Sequence, residues 1–274
     1  MSRIDVKKTY KLYINGAFPR SESGRVYEVK NSKGVFLANP ALASRKDLRD
    51  SVSAARASFN KWSGSTAYLR GQILYRIAEM LEGRSEQFEA ELKAIGDKSK
   101  VTEVIDLIVW YAGWSDKLAA LSGVTNPVSG PYYNFTTPEA LGVVGIISKP
   151  NFLEFVDSLM AVIVSGNTSV IVAPGPLAIP AMSFAEVLAT SDLPAGVVNI
   201  LTGKVDELAP WMASHMDIDG LDISGSNSGT KKVGELKVAG AENLKRIHSF
   251  ERIKHPSRIL AFLESKTFWH TVGI

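Results

Sequence analysis

The chain has 274 residues, a formal net charge of +3 at pH 7 and no cysteine. The missing cysteine excludes disulfides, thiolate metal ligands and a cysteine nucleophile. The weak positive charge has no block of basic residues, so nucleic acid is not an expected partner.

The N-terminal residues argue against export, and the spacing of the histidines argues against a metal site. The first five residues lack the apolar core of a signal peptide, and no apolar run reaches membrane-spanning length. We therefore expect a cytoplasmic protein that does not enter a membrane. We also expect no metal site, because the four histidines have no ligand spacing. They are His215, His248, His255 and His270.

The first forty residues predict a small antiparallel unit. Residues 11–18 alternate apolar and polar side chains and turn at Asn15-Gly16, which indicates a β-hairpin. Residues 26–31 and 35–38 extend this unit around a turn at residues 32–34.

Four amphipathic helices follow. Ser44 is a suitable N-cap for the first helix. Asp47 lies at N3, where its carboxylate can accept a hydrogen bond from the backbone N–H of Ser44. The next helices span residues 68–82, 85–95 and 101–121. Their apolar residues, the aromatic ones included, are interpreted as core packing rather than as a binding surface. The stripes include Leu48, Val52, Ala55 and Phe59, then Leu69, Ile73 and Ile77, then Val104, Tyr111, Trp114 and Leu118.

Residues 141–226 alternate between strand and helix patterns. The continuous apolar run at residues 141–147 is typical of a strand buried on both faces of a parallel sheet. This alternation predicts parallel strands joined by right-handed crossovers, an architecture that binds nucleotides at the carboxyl ends of its strands. The predicted strands are 141–147, 168–172, 197–201 and 220–224, and the helices between them are 152–164, 178–190 and 206–215.

The remaining segments add a few elements. Residues 123–137 favour one strand or two short ones, residues 231–239 a helix, and residues 243–250 and 262–272 one strand each.

Several motifs together resemble the aldehyde dehydrogenase superfamily from about residue 10 to residue 250. The resemblance implies an α/β fold with a doubly wound, Rossmann-like parallel sheet, N-terminal helices and a small β oligomerisation element. The motifs are Tyr13-Ile14-Asn15-Gly16, residues 52–62, residues 70–81, residues 111–117, residues 141–147, Ser165-Gly166-Asn167-Thr168, residues 193–199 and Gly225-Ser226.

In that family a catalytic domain with a nucleophilic cysteine follows the cofactor domain. Here the chain passes to residues 263–268, which resemble the last strand of the family, so the resemblance implies a member without its catalytic domain rather than an accidental fragment. Residues 1–122 and 138–250 are then a degenerate NAD(P)-binding-type domain. Residues 123–137 and 260–274 are the oligomerisation element.

The family's cofactor motifs are altered. Asn151 matches the amide that supports the oxyanion in active members, and we interpret it as a helix cap. Ala173 and Pro176 stand where the family has a lysine that anchors the adenosine ribose and a glutamate. Losing such a charge-assisted contact costs about 1.5–3 kcal/mol.

Gly203, Gly225 and Ser226 are the cofactor-binding positions that remain, with Ser226 at a helix N-terminus that suits phosphate. Phe250 stands at the position of the family's general-base glutamate, and Glu251 lies one residue after it. On a strand, this shift by one residue would point the Glu251 side chain to the opposite face. We therefore expect no catalytic residue and no cofactor, with residual NAD(P) binding left open.

The resemblance assigns assembly to the oligomerisation element. We expect a homo-oligomer, a dimer first, or a complex with a full-length aldehyde dehydrogenase, and hence a scaffold or regulatory subunit. Two alternatives stay open: an aldehyde oxidoreductase that works with a catalytic subunit, and a nucleotide sensor. The assembly residues are Tyr132, Tyr133, Phe135, Lys266, Phe268 and Trp269.

Overall fold

The computed structural model describes residues 6–226, 230–251 and 253–272; residues 1–5, 273 and 274 of the predicted units lie outside it. In that part of the chain the strands are β1 (Val29–Lys30), β2 (Phe36–Ala38), β3 (Val124–Asn126), β4 (Tyr132–Ala140), β5 (Val143–Ile147), β6 (Thr168–Pro174), β7 (Val198–Gly203), β8 (Gly220–Asp222), β9 (Arg246–His248) and β10 (Leu263–Thr271). The α-helices are α1 (Arg45–Ser63), α2 (Ala67–Glu82), α3 (Ser85–Ile95), α4 (Val101–Ala112), α5 (Leu118–Ser122), α6 (Phe152–Val164), α7 (Ala178–Ala189), α8 (Val205–Ser214), α9 (Thr230–Ala241) and α10 (Pro256–Leu260).

Five parallel strands form the central sheet in the order β7-β6-β5-β8-β9. Numbered along the chain from β5, this order is 3-2-1-4-5, the doubly wound arrangement. The predicted α/β fold with a Rossmann-like parallel sheet is confirmed. β5 and all of β6 after Ser169 are continuous apolar runs, because helices cover both faces of the sheet.

Two apolar cores lie on opposite faces of this sheet. One side of β5 presents Val144 and Ile146 to a core that includes α2, α4, α6 and α7. The other side presents Val143 and Ile147 to a core with α1 and α8. Alternate strand residues point to opposite faces, so each strand serves both cores.

The first helix begins as its sequence predicts. The Ser44 hydroxyl accepts a bond from the backbone N–H of Asp47, and the Asp47 carboxylate accepts one from the backbone N–H of Ser44, which is a capping box. The apolar stripe of α2 is less complete than predicted, because Leu69 is 44% exposed.

The single helix predicted over residues 101–121 was wrong, because it breaks after Ala112. Gly113 ends α4 in a turn, and side chains there satisfy its last carbonyl groups: Ser115 Oγ donates to Ala112 O at 2.9 Å, and Lys117 Nζ to Gly113 O at 2.5 Å. Glycine lowers helix propensity, and these bonds compete with continuing the helix.

The N-terminal unit forms as the sequence predicts and also contacts the central sheet. β1 and β2 pair in antiparallel fashion, and Asn15 and Gly16 turn with positive φ angles of 51° and 73°. The predicted hairpin forms around this turn, because the backbone N–H groups of Ile14 and Ala17 each donate to the carbonyl oxygen of the other at 3.0 Å. Tyr13 also bridges Ile200 of β7, so the hairpin extends the edge of the central sheet.

A second sheet of three antiparallel strands, in the order β10-β4-β3, lies beside the central one. β10 pairs with β4 from Leu263 opposite Ala140 to Thr271 opposite Tyr132. Among the described residues no helix has the length and apolar character needed to cross a membrane.

Candidate functional site

The strand order creates a crevice between β5 and β8. Chain connections leave these neighbouring strands toward opposite sides of the sheet, so the loops at their carboxyl ends separate there. Residues 148–151 follow β5 and residues 223–226 follow β8. Any ligand of this fold is expected at these loops.

Two adjoining cavities lie over the carboxyl ends of the strands, and we call them together the cleft. The larger, of about 380 Å³, lies against β6, β7 and the loop after β8, and the smaller, of about 280 Å³, lies between α8 and α9. Both are lined by Val205, Asp206 and Lys232. The larger cavity lies within the range of small-ligand pockets, about 300–1,000 Å³, and the smaller one lies just below it.

The three predicted cofactor-binding residues meet in this cleft. Gly203 and Gly225 line the larger cavity, and Ser226 lines the smaller one. The Ser226 hydroxyl has no hydrogen-bond partner in the described part of the chain.

Gly225 also has a purely structural reason to be glycine. A Cβ atom there would lie 2.0 Å from the carbonyl oxygen of Ser148, and its N–H donates to Ile147 O at 2.8 Å. The loops after β5 and β8 are therefore in direct backbone contact at the crevice, and the glycine permits it.

The charges in the cleft partly cancel. Lys204 and Lys232 supply cations, while Asp206 forms an ion pair with Lys232 at 3.1 Å. α8 begins without a side-chain cap, but Asp206 and Glu207 lie in its first turn and offset its positive end. An incoming phosphate would have to compete with these carboxylates.

The residues at the altered family positions also offer no charged contact to a cofactor. Ala173 is fully buried in the core and offers no charge, and Pro176 is exposed in a short 3₁₀ turn (Gly175–Leu177). The two ribose contacts implied by the family resemblance therefore have no counterpart at these positions.

Asn151 caps α6, as interpreted from the sequence, since its Oδ1 accepts from the backbone N–H of Glu154 at 3.0 Å. Its Nδ2 donates to Asp97 Oδ1 at 3.1 Å and to Ser99 Oγ at 3.0 Å. Because both ends of the amide are engaged, it has no uncommitted donor for an oxyanion.

A segment that contains a helix absent from the sequence predictions covers the neighbouring face. Its described residues, 250, 251 and 253–262, which we call the plug, run past β8 and α6 and contain the short helix α10. Arg258 of α10 is 1% exposed and bonds the carboxylates of Asp157 on α6 and Asp222 at the end of β8. It also donates to Ser158 Oγ at 2.6 Å.

Both carboxylates of this cluster are well satisfied. Asp157 Oδ1 accepts from Tyr111 Oη at 2.8 Å and from the backbone N–H of Lys254 at 2.9 Å, and Asp222 Oδ1 accepts from Ser224 N at 2.9 Å. Burial would lower the pKa of Arg258, but Asp222 and Asp157 hold it above its usual value. Burial, and then Asp157, raises the pKa of Tyr111, which stays a neutral donor.

Phe250 lies in the plug and not on a strand, because β9 ends at His248; the strand predicted over residues 243–250 was too long. The Phe250 ring lies 4.9 Å from the Arg258 guanidinium and 6.1 Å from the ring of Phe262. Phe250 is half-buried, and Glu251 is exposed.

Sequence reasoning missed the whole Arg258 cluster. The available signal was Asp157 inside an apolar helix and Asp222 in a buried strand, because buried charges are kept only when they are paired. The partner arginine lies 101 positions from Asp157, and nothing in the spacing connects the two.

The predicted assembly residues lie together on the three-stranded sheet. Tyr132 and Trp269 meet edge to face at 5.8 Å on one face, while Phe135 and Phe268 stack at 5.1 Å on the other. Tyr133 lies 5.3 Å from Phe135. Lys266 pairs with Glu139 at 3.1 Å and lies over Phe268.

The fold and the cleft define a protein of the doubly wound α/β class. Among known proteins, the sequence profile of the Aldehyde dehydrogenase family matches residues 18–250. The chain belongs to this family.

The chain spans about half the length of some of its relatives and about a quarter of the length of others. Retinal dehydrogenase 2 of Gallus gallus is 33% identical over 272 residues, which cover 94% of this chain and 51% of the relative. Mitochondrial 10-formyltetrahydrofolate dehydrogenase of Mus musculus is 30% identical over 261 residues, 89% of this chain and 28% of the relative. A solved NAD+ complex of aldehyde dehydrogenase from Bacillus cereus has a TM-score of 0.78 at 25% identity and covers 88% of this chain and 50% of that one.

Proposed function

We propose that this chain is a non-catalytic member of the aldehyde dehydrogenase family that acts as an assembly or regulatory subunit. Its partner is a second copy or a catalytic member of the family. The proposal is supported by the lack of cysteine, by the committed amide of Asn151 and by the exposed aromatic sheet.

The observation that carries the proposal is the exposure of that sheet on both faces. Trp269 is 65% exposed and Tyr132 43% on one face, and Tyr133 is 49% exposed and Phe268 37% on the other. Exposed aromatic clusters mark interaction surfaces. In the described part of the chain the outer edge of β10 pairs with no strand. A nine-residue unpaired edge is a template for another chain.

Replacing Trp269 with glutamate tests this role. The charge should weaken any interface that buries the indole, while β10 stays paired with β4 because the side chain projects from the sheet. We expect light scattering to report an oligomer for the parent chain and a lower mass for Trp269→Glu at the same concentration.

The matched control is Tyr68→Glu. Tyr68 is 72% exposed near the start of α2, where an acid is compatible with the helix dipole. The control should keep the parent mass. A parent chain that is monomeric alone and captures no catalytic family member when the two are mixed contradicts the proposal, as does an oligomer of unchanged mass in Trp269→Glu.

A second candidate, nucleotide sensing, is favoured by the cleft, where Gly203, Gly225, Ser226, Lys204 and Lys232 line adjoining cavities. The Bacillus cereus relative was solved with NAD+. Calorimetric titration with NAD and NADP tests it. Saturable binding that Lys232→Gln weakens supports the candidate. No binding at nucleotide concentrations up to about 1 mM contradicts it, because the binding free energy would then be weaker than about −4 kcal/mol.

A further inference from the structure

A third cavity, of about 420 Å³, lies away from the cleft, between the N-terminal segment and the β1–β2 hairpin. Five basic side chains line it, and among the described residues no aspartate or glutamate does. The five are Lys7, Lys8, Lys11, Arg20 and Arg25, and we call this site the basic cavity. Their combined formal charge of +5 exceeds the +3 of the whole chain, so cationic charge is concentrated here.

Two of these cations, Lys11 and Arg20, form no ion pair with a described residue, unlike Lys8 and Arg25. Lys8 forms an ion pair with Glu186 at 2.7 Å, and Arg25 lies 3.6 Å from Glu207. Neither Lys11 nor Arg20 forms an ion pair with any described residue. Both can therefore bind an anion without breaking an existing contact, and concave sites lined by one sign of charge concentrate ligands of the opposite sign.

The floor of the basic cavity is apolar. Val26 is 56% exposed and Phe36 38%, and the half-buried Tyr10 ring lies beside them. Burial, then the charges of Glu91 and Glu186, raises the pKa of Tyr10 to about 12. Its hydroxyl therefore stays protonated at neutral pH and is a hydrogen-bond donor.

We propose that the basic cavity binds a small molecule that joins a polyphosphate group to a flat apolar group, such as a nucleoside triphosphate. Arg20 and Lys11 would contact the phosphates, because charge-assisted bonds from arginine and lysine suit phosphate oxygens. The apolar floor would contact the base. The basic cavity shares no lining residue with the cleft, so this site is independent of the nucleotide-sensing candidate.

Isothermal titration of the full chain with ATP, tripolyphosphate and adenosine at ~150 mM salt tests the proposal. We expect ATP to bind most tightly, tripolyphosphate more weakly and adenosine not measurably. The double variant Lys11→Gln/Arg20→Gln should weaken ATP binding about tenfold or more. The conservative variant Lys11→Arg/Arg20→Lys should retain most of it, which separates binding from any change in folding.

The charge-matched control is Lys61→Gln/Lys98→Gln, two exposed lysines outside the basic cavity. ATP affinity should change by less than about twofold in this control, as expected for screened charges. An equal loss in the control overturns the proposal, because binding would then reflect net charge alone. Loss in Lys232→Gln instead places ATP in the cleft, and no saturable binding up to about 1 mM also overturns the proposal.

Discussion

Replacing Arg258 with methionine removes the one cation that the described structure places between two buried carboxylates. Asp157 and Asp222 are both fully buried, and each bonds a different terminal nitrogen of the guanidinium. Methionine fills a similar length of side chain but leaves both carboxylates without their charged partner. Breaking a buried pair in this way costs about 3–5 kcal/mol.

That cost is large relative to the about 5–15 kcal/mol by which folded domains are stable. Urea denaturation followed by tryptophan fluorescence measures it directly, with the free energy of unfolding taken at pH 7. An unpaired buried carboxylate takes up a proton more readily than an exposed one, so the deficit should shrink as the pH falls from about 7 to 5.

Two further variants keep the test decisive even if Arg258→Met folds poorly. Arg258→Lys keeps the charge but cannot bridge both carboxylates with planar geometry, so its loss should be smaller. The triple variant Asp157→Asn/Asp222→Asn/Arg258→Met removes every formal charge and should recover more than half of the deficit. A loss below about 1 kcal/mol in Arg258→Met, or a triple variant less stable than the single one, would refute the reasoning.

Two other predictions concern stability. Burial lowers the pKa of Lys245 from 10.5 to about 8, so between these values the unfolded chain binds more protons than the folded one and stability should rise with pH. Lys245→Met should lack this rise, and a difference between the two urea midpoints that stays constant from about pH 7.5 to 10.5 would show that Lys245 is not responsible. Gly225→Ala should cost roughly 1–3 kcal/mol because the new Cβ meets the Ser148 carbonyl, whereas Gly234→Ala, inside α9 with open space around it, should be neutral or stabilising. Equal thermal midpoints for the two alanine variants would contradict the close approach at Gly225.

The sequence was sufficient to predict the parallel sheet, because the sequence signals for its strands are local. The apolar runs of β5 and β6 and the caps at Ser44 and Asn151 each lie within a few residues of the element they define. The break in the helix after Ala112 was missed because one glycine rarely stops a helix. Its effect here depends on hydrogen bonds from Ser115 and Lys117 to the helix end.

The plug could not be predicted because its stability comes from distant partners. α10 has five residues, too few to give a periodic signal, and its only strong local feature is Pro256 at its start. The Arg258 cluster unites α6, β8 and α10, which are remote in sequence. The cleft was only partly predictable for a similar reason. Its glycines follow the family motifs, whereas the pairing of Asp206 with Lys232 depends on how α8 and α9 face each other.

The plug is followed directly in the chain by β10 of the three-stranded sheet, and this links the stability of the plug to the proposed assembly role. Phe262 ends the plug fully buried, its carbonyl accepts from Asn167 Nδ2 at 2.8 Å, and β10 begins at the next residue. Loosening the plug should therefore loosen the start of β10 without changing any exposed aromatic side chain. If the three-stranded sheet is the assembly surface, Arg258→Met should raise the dissociation constant of the oligomer, as Trp269→Glu does, but only Arg258→Met should also lower the free energy of unfolding of the isolated chain. A catalytic partner that docked against the face covered by the plug would first have to displace Arg258 from two carboxylates, so a partner bound through the sheet is the less costly arrangement.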